Sequence, residues 1–391
     1  MQPLRPPHDL TIPAPGSTTA RDILSRAIRR AIQDLIRLAG TPGDRELARF
    51  KPLLQRLLHD SPGALASALR RPNVGGLLRC LRRRAPELPF ADGVAELLAT
   101  LYTELAHADA LPEGAILHRL PTRIVSLAAR KVIDVPAGAE RAEFGPATIG
   151  FRGPGLTLDV DLNEHDEAPR LFPITDHLLL ALADANPLAM SEAHPDKQGN
   201  AVDLGGHPVD EWTASLADAL ELIARYMPDL RGEIDLYLHT LIPVGWDEHQ
   251  HLSASYQEII GSVYMTLHPH RMTMVEATIH EFQHNKLHAL LELDPLLHNA
   301  FAPLYSSPVR PDPRPLQGVL LAVHAFQPVA RLYQLMRDAG HPGTEQPDFA
   351  RRHAQIVKGN HEGASVLLEH GRPTAIGQGL LDEIRRWDSL D

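Results

Sequence analysis

Hydrophobic residues in the first third of the chain recur every three or four positions, which is the spacing of one face of an α-helix. The clearest run extends from Leu24 to Leu38, with threonines that can cap a helix before it and Gly40 after it. Similar spacing predicts further helices over residues 47–58, 74–85, 94–108 and 123–133. The pattern therefore predicts a helical N-terminal region, which we place at residues 1–135.

A stretch rich in Gly and Pro, residues 135–156, interrupts this pattern and is interpreted as a domain boundary. Beyond it, alternating or continuously apolar positions predict strands over residues 147–153, 156–163, 233–244 and 253–269. Helical spacing returns over residues 210–226, 272–293, 316–336 and 351–371. The expected fold class is α+β, in which residues 136–391 form a second domain with a mixed sheet.

Charge divides the chain at about the same place. Residues 1–134 carry 20 Lys and Arg against 13 Asp and Glu, whereas the remainder carries 18 against 36. The N-terminal arginines lie mostly away from the apolar helix faces, so they are either solvated or line a groove for an acidic peptide. Aromatic residues do not interleave with them and no helix-turn-helix pattern is present, so we expect no nucleic-acid partner.

Cysteine and hydropathy exclude several classes of protein. The only cysteine, Cys80, rules out an intrachain disulfide, a cysteine-ligated zinc ribbon and a chain-encoded iron–sulfur cluster, including that of radical-SAM enzymes. No segment approaches the ~20 apolar residues that span a bilayer, and the first residues lack the apolar core of a secretory signal. We expect a cytoplasmic protein without a membrane partner.

Histidine, in contrast, is abundant, and five residues of the predicted helix 272–293 form an HExxH motif. His280 and His284 are four residues apart, so both imidazoles lie on one helix face and can reach one metal ion. Glu281 is the position that serves as general base in a zinc hydrolase. A strand followed by such a helix is the arrangement of zincin-like folds, and we expect residues 136–391 to be a zincin-like, metal-binding catalytic domain.

The sequence leaves several residues as candidates for the third metal ligand. His288 continues the histidine face but lies two turns from His280, and the later residues of the metzincin pattern are absent. His324 stands in an apolar helix, where an ionisable side chain needs a partner, either a metal ion or a group in the core. Glu362 would give a gluzincin-like site. The remaining candidates are His298 and His361.

Three segments carry a resemblance to a known family: VEATIHEFQH (275–284), YSSPVRPDPRPLQGV (305–319) and VHAFQPVARLY (323–333). They resemble the HExxH-motif peptide-modification proteins of ribosomal peptide gene clusters, which are iron(II)- and 2-oxoglutarate-dependent peptide β-hydroxylases. Weaker similarity extends the resemblance to roughly residues 170–385. Some relatives are fused to a radical-SAM domain, which the cysteine count excludes here.

The resemblance implies a role for particular residues. His280 and His284 become Fe(II) ligands, with His324 as the third, and Arg314 binds a carboxylate of 2-oxoglutarate; Arg310 is the competing carboxylate partner. A guanidinium suits that task because it offers a two-pronged, charge-assisted contact. If His324 completes the site, Glu281 orients substrate; if Glu281 or Glu362 binds the metal, the site approaches the usual two-histidine, one-carboxylate set.

The implied substrate is a ribosomally made precursor peptide, whose β-carbon is hydroxylated. The strand before the HExxH helix can hold an extended peptide by edge pairing, with Ser253, Ser255 and Tyr256 as contacts. The alternative function is a zinc metallopeptidase of the gluzincin-like type, with Glu281 as general base, because imidazole ligands suit zinc and iron alike. A binding protein with a degenerate site is a third hypothesis, which the intact motif disfavours.

Overall fold

The computed structural model describes residues 4–189, 200–305 and 312–389, and its N-terminal part begins with five helices. They are α1 (Thr19–Ala39), α2 (Arg45–Asp60), α3 (Pro62–Arg70), α4 (Pro72–Arg83) and α5 (Phe90–His107). Helical spacing predicted four of them, and the structure confirms these to within a few residues at each end. The short α3 is additional, and it starts with a proline, whose missing N–H costs nothing in a first turn.

The helix predicted over residues 123–133 is wrong, because this segment is a hairpin of β2 (Arg123–Ser126) and β3 (Lys131–Asp134). Ile124 pairs with Ile133 across the hairpin, and both side chains are buried. Before β3, Arg130 adopts a φ of 52°, a left-handed backbone that an α-helix does not contain. The apolar spacing of this segment is compatible with a helix, but the burial of both isoleucines near α5 favours the hairpin.

An antiparallel sheet lies beside this hairpin, with the strand order β1-β4-β5-β6. Its strands are β1 (Ala115–Leu117), β4 (Arg141–Gly145), β5 (Thr148–Gly153) and β6 (Leu156–Asp161). β5 and β6 confirm the predicted strands, and the Gly- and Pro-rich stretch contributes β4 and β5. Buried apolar residues from Leu35 to Leu162 form one cluster, so this core spans both sides of the predicted boundary at residue 135.

A second, mixed sheet of five strands has the order β10-β11-β9-β8-β7. Its strands are β7 (Leu171–Pro173), β8 (Leu179–Ala181), β9 (Thr240–Trp246), β10 (Ser253–Ala254) and β11 (Ser262–Leu267). The inner strands β8, β9 and β11 are parallel, while β7 and β10 pair antiparallel at the two edges. The chain is thus α+β with a mixed sheet, as the sequence predicts.

Two of the strands predicted in this sheet differ from the structure. Residues 233–237 belong to α7 (Pro228–Tyr237), because Pro228 starts a helix whose apolar face is buried. Residues 253–269 do not form one strand: a 3₁₀ turn (Gln257–Ile259) and Gly261, with a φ of 105°, separate β10 from β11. The edge strand and the inner strand consequently run in opposite directions.

Helices cover this sheet and hold the HExxH segment. They are α6 (Val209–Tyr226), α7, α8 (Arg271–Leu291), α9 (Leu316–Asp338), α10 (Pro347–His370) and α11 (Ala375–Asp388), with a small hairpin of β12 (Leu304–Tyr305) and β13 (Arg314–Pro315). α8 lies against β11, α1, α6 and α9, and residues on all its sides are buried. Within the described ranges, no helix is both long enough and apolar enough to cross a membrane.

The N-terminal segment threads into the core of the C-terminal part. Glu383 of α11 accepts hydrogen bonds from the backbone N–H groups of Leu10, Thr11 and Ile12, at 2.9, 2.9 and 3.2 Å. Gln283 of α8 donates to the carbonyl oxygen of Thr11 at 2.6 Å. Leu10 and Ile12 are buried in the same apolar cluster as α8 and α11, so this segment belongs to the core around the HExxH helix.

Replacing Glu383 with Gln tests this attachment. Glutamine lacks the charge that strengthens three backbone hydrogen bonds, so we expect the free energy of unfolding to fall by about 2 kcal/mol in urea denaturation. The control is Asp382→Asn, at an exposed neighbour on the same helix, for which we expect a change below about 0.5 kcal/mol. Equal losses in the two variants would contradict the role given to Glu383.

A pH dependence follows from His239, which is buried before β9. Burial lowers the pKa of His239 to about 3, so a proton binds the unfolded chain more readily than the folded one. Stability therefore falls as the pH drops below the ordinary histidine value of about 6.5. Between pH 7.5 and 5.5 we expect the wild type to lose about 1.4 kcal/mol more than His239→Phe does, measured by urea denaturation. An identical pH dependence in both proteins would contradict this.

Candidate metal centre

The HExxH residues lie in the middle of α8, directly behind the sheet. One ligand atom each from His280, Glu281 and His284 fits within a span of 4.8 Å. The two Nε2 atoms of the histidines are 2.8 Å apart. The four-residue spacing thus brings both imidazoles and the carboxylate to one point, as the sequence predicts.

Burial sets the charge state of the two imidazoles. It lowers the pKa of His280, and the neighbouring charges of His284 and His251 lower it further. Burial also lowers the pKa of His284, which the nearby Glu281 carboxylate partly offsets. Both rings are therefore neutral at neutral pH, the form in which imidazole binds metal ions.

The Nδ1 atoms of His280 and His284 are both buried, and neither finds a hydrogen-bond partner in the part of the chain that the structure describes. The two Nε2 atoms instead converge at 2.8 Å, where one cation could accept a lone pair from each ring. The donor set fits Fe(II) or Zn²⁺, both of which accept imidazole nitrogen.

Glu281 is held in place from the edge of the sheet. The hydroxyl of Ser255 donates to Glu281 Oε2 at 2.5 Å. Asn285, one turn along α8, donates to Ser255 Oγ at 3.2 Å and accepts from the backbone N–H of Gly261 at 2.6 Å. Ser255, predicted as a peptide contact, thus lies beside the motif and positions its carboxylate.

The other two predicted peptide contacts lie on either side of Ser255. Ser253 belongs to the edge strand β10 and pairs with Met265 of β11. The Tyr256 ring packs edge-on against Tyr264 at 5.3 Å between ring centres, and its hydroxyl accepts from Asn200 at 2.6 Å. Tyr256 is therefore engaged in the wall behind β10.

His324, the predicted third ligand, is fully buried in α9. Among the described residues, neither of its ring nitrogens has a hydrogen-bond partner. Burial lowers the pKa of His324 well below its usual value, and the charges of Lys286 and His284 lower it further. His324 is thus a neutral imidazole near His284, although it stands outside the compact group of three ligand atoms.

The remaining candidates for the third ligand are less suitably placed. The His288 ring lies 6.3 Å from the ring of His284. His298 and Glu362 are exposed, and Glu362 pairs with Lys358 at 3.7 Å on the outer side of α10. His361 is exposed and contacts Asp388 at 3.0 Å.

The two predicted carboxylate-binding arginines lie near the start of α9. Arg310 falls outside the described residues. Arg314 forms an ion pair with Asp312, with 2.9 Å between Nε and Oδ2. Arg314 lies in β13, before α9 begins, and its side chain is partly exposed.

Sequence reasoning missed one neighbour of the motif, His251, which lies on the segment before β10 and whose charge acts on His280. It named Ser255 as a peptide contact but did not predict its hydrogen bond to Glu281, which joins residues 26 positions apart. No local pattern marks His251 or this hydrogen bond, because both depend on how the sheet edge packs on α8.

Metal binding gives the first test of this centre. We expect His280→Ala and His284→Ala each to weaken Co²⁺ binding more than about 100-fold, since even loss of a residue behind a metal ligand commonly costs 10- to 100-fold. Equilibrium dialysis with metal analysis measures this. His270→Ala, at an exposed histidine just before α8, should bind as the wild type does. A comparable loss in that variant would argue against a site at the motif.

Comparison with known proteins adds no relative. No protein-family model matches the chain, and no curated protein matches it.

Proposed function

We propose that the protein is an Fe(II)- and 2-oxoglutarate-dependent oxygenase that hydroxylates the β-carbon of a residue in a ribosomally made precursor peptide. The proposal combines the family resemblance of residues 275–333 with the chemistry of the site. We place the protein in the cytoplasm, where such peptides are made, and describe the region around the mixed sheet as zincin-like, since α8 follows directly on strand β11.

The observation that carries the proposal is the state of His324. A fully buried histidine with two unpartnered ring nitrogens, close to His284, is a third nitrogen donor on the helix packed against α8. A gluzincin-like peptidase needs a carboxylate there instead, and its candidate Glu362 faces solvent and pairs with Lys358. We therefore propose His324 as the third nitrogen donor, with Glu281, which lies within the compact group of His280 and His284, left for the substrate.

When bound, Fe(II) with 2-oxoglutarate and O₂ supplies an oxidant that inserts one oxygen atom into a C–H bond, giving succinate and CO₂. The chain's own residues supply the binding and orientation. His280, His284 and His324 would hold the metal, and the Ser255 hydroxyl fixes the Glu281 carboxylate beside it. From there Glu281 can accept a hydrogen bond from a peptide N–H and so orient the residue to be modified.

The edge strand β10 supports an extended peptide as the substrate. Within the described ranges β10 pairs with β11 alone, so the backbone groups on its other side are available to a further strand. Ser253 and Ala254 would form that pairing, and the next residue, Ser255, touches Glu281. A peptide added to this edge would pass the metal centre.

The deciding experiment uses the full chain loaded anaerobically with Fe(II), followed by 2-oxoglutarate, air and the peptide encoded nearest to the gene. We expect succinate to form in step with the gain of one oxygen atom by the peptide, measured by mass spectrometry. Peptide cleavage with Zn²⁺ and without any oxoacid would overturn the proposal in favour of the zinc metallopeptidase.

The third ligand has its own test. We expect His324→Ala to lose metal affinity, by about tenfold or more, together with peptide hydroxylation. Gln327→Ala is the matched control, because Gln327 is equally buried on α9 but donates to the carbonyl oxygen of Ile384. Full metal occupancy in His324→Ala would show that His324 is not a ligand.

A further inference from the structure

The backbone groups of Ser253 face away from the sheet at the edge strand β10. Residues of an antiparallel pair alternate between those whose N–H and C=O groups bond the neighbouring strand and those whose groups point outward. Leu252 bonds β11, because its carbonyl oxygen accepts from the N–H of Thr266 at 2.8 Å and its own N–H donates to Thr266 Oγ1 at 3.0 Å. Ser253 follows in the same register, opposite Met265, so its N–H and C=O point to the outer side of β10.

This outer side is accessible to a further strand. Ser253 is partly exposed, and among the residues that the structure describes no strand pairs with β10 on that side. An N–H and a C=O that point outward from one residue are the groups with which an edge strand binds an extended peptide.

The side chain of Ser253 lies on the face of the sheet that packs against α8. Its partner Met265 belongs to the apolar cluster that contains α8, and side chains opposite each other in two paired strands share one face. Ala254 stands opposite Tyr264, and both pack in a separate apolar cluster on the other face. β10 therefore alternates between an α8 face and a far face.

The α8 face of β10 adjoins the metal centre. His251 and Ser255 lie two residues before and after Ser253, the spacing at which strand residues share a face. The charge of His251 acts on His280, and the Ser255 hydroxyl lies 2.5 Å from Glu281 Oε2. His280 and Glu281 both belong to the group whose ligand atoms lie within 4.8 Å of one another. Measured contacts thus join this strand to the centre.

We infer that the substrate peptide pairs antiparallel with β10, that one of its residues bonds both the N–H and the C=O of Ser253, and that the hydroxylated residue is this one or the one two positions before it, opposite Ser255. The inference rests on the proposed function and deepens it, because it specifies how the peptide lies on the edge. Antiparallel pairing lets both groups of Ser253 bond a single residue, and it is the commoner kind of pairing.

The side chains of the bound peptide then alternate in a fixed phase. A residue bonded to Ser253 places its side chain on the same face as Ser253, which is the face of the metal centre. The residues immediately before and after the hydroxylated one turn their backbone N–H groups away from β10 and their side chains to the far face. The inference thus sets a rule for the substrate: proline is compatible with these two adjacent positions.

Ester substitution of single peptide bonds tests this register, because an ester oxygen removes one N–H with little change in shape. The probe is the peptide encoded nearest to the gene, with its hydroxylated residue located by mass spectrometry. Isothermal titration calorimetry measures its affinity for the Co²⁺-loaded full chain. We expect the ester to weaken binding about fivefold, the value of one hydrogen bond, at the hydroxylated residue or at the residue two positions after it. Esters at the two adjacent residues should bind as the amide peptide does.

Ser253→Pro tests the same contact from the side of the protein. Proline is tolerated where the N–H of an edge strand faces outward, so we expect the variant to keep its Co²⁺ affinity and to bind the peptide about fivefold more weakly. The ester at the residue bonded to Ser253 should then cost little more, since the pairing is already broken. Ser253→Ala keeps the backbone N–H and should bind the peptide more tightly than Ser253→Pro does.

Three outcomes would overturn the inference: an ester effect confined to the two adjacent residues, as parallel pairing produces; equal losses in Ser253→Ala and Ser253→Pro, which would assign the contact to the side chain; or full peptide affinity in Ser253→Pro. Should Ser253→Pro lose its Co²⁺ affinity, the ester pattern in the wild type decides. Hydroxylation by the wild type leaves the proposed function standing in each case. If the wild type neither binds nor hydroxylates the peptide, the proposed function fails, and this inference with it.

Discussion

The burial of a polar helix is the constraint on which the rest of this structure depends. Most of α8 is buried, so the charged and amide side chains in its buried part need partners from elsewhere in the chain. Lys286, fully buried, pairs with Glu233 of α7 at 2.7 Å and lies 5.0 Å from the ring centre of Phe282. Gln283 and Asn285 find backbone partners at the N-terminal segment and at Gly261. The surrounding elements are therefore tied to α8 through polar contacts as well as apolar ones.

Several buried polar groups on and around this helix, in contrast, have no partner among the described residues. Lys286 and Asn285 are satisfied within the protein, whereas Oε1 of Gln283 and buried nitrogens of His280, His284 and His324 have no partner among the described residues. Leaving such groups unpaired costs free energy. A ligand that pairs with them would offset this cost. The three histidines are the donors that we propose for the metal ion.

Local sequence patterns predicted some of these features and did not predict others. The spacing of His280 and His284 along one helix face placed the pair correctly, and amphipathic spacing found α1, α6 and α9, because both depend on residues within a few turns. The hairpin at residues 123–134 was missed because pairing across the turn, not local spacing, decides it. The hydrogen bond from Ser255 to Glu281 was not predicted for a similar reason: it joins segments 26 residues apart.

The threading of the N-terminal segment has a consequence for how the protein is made. Leu10 donates its N–H to Glu383, a contact that spans 373 residues, so almost the whole chain must leave the ribosome before it can form. Gln283, one residue before the second histidine of the motif, contacts the same segment, because its side chain donates to the carbonyl oxygen of Thr11. Contacts of such long range form slowly and late in folding. A nascent chain that ends before residue 383 therefore has an incomplete core behind the HExxH helix.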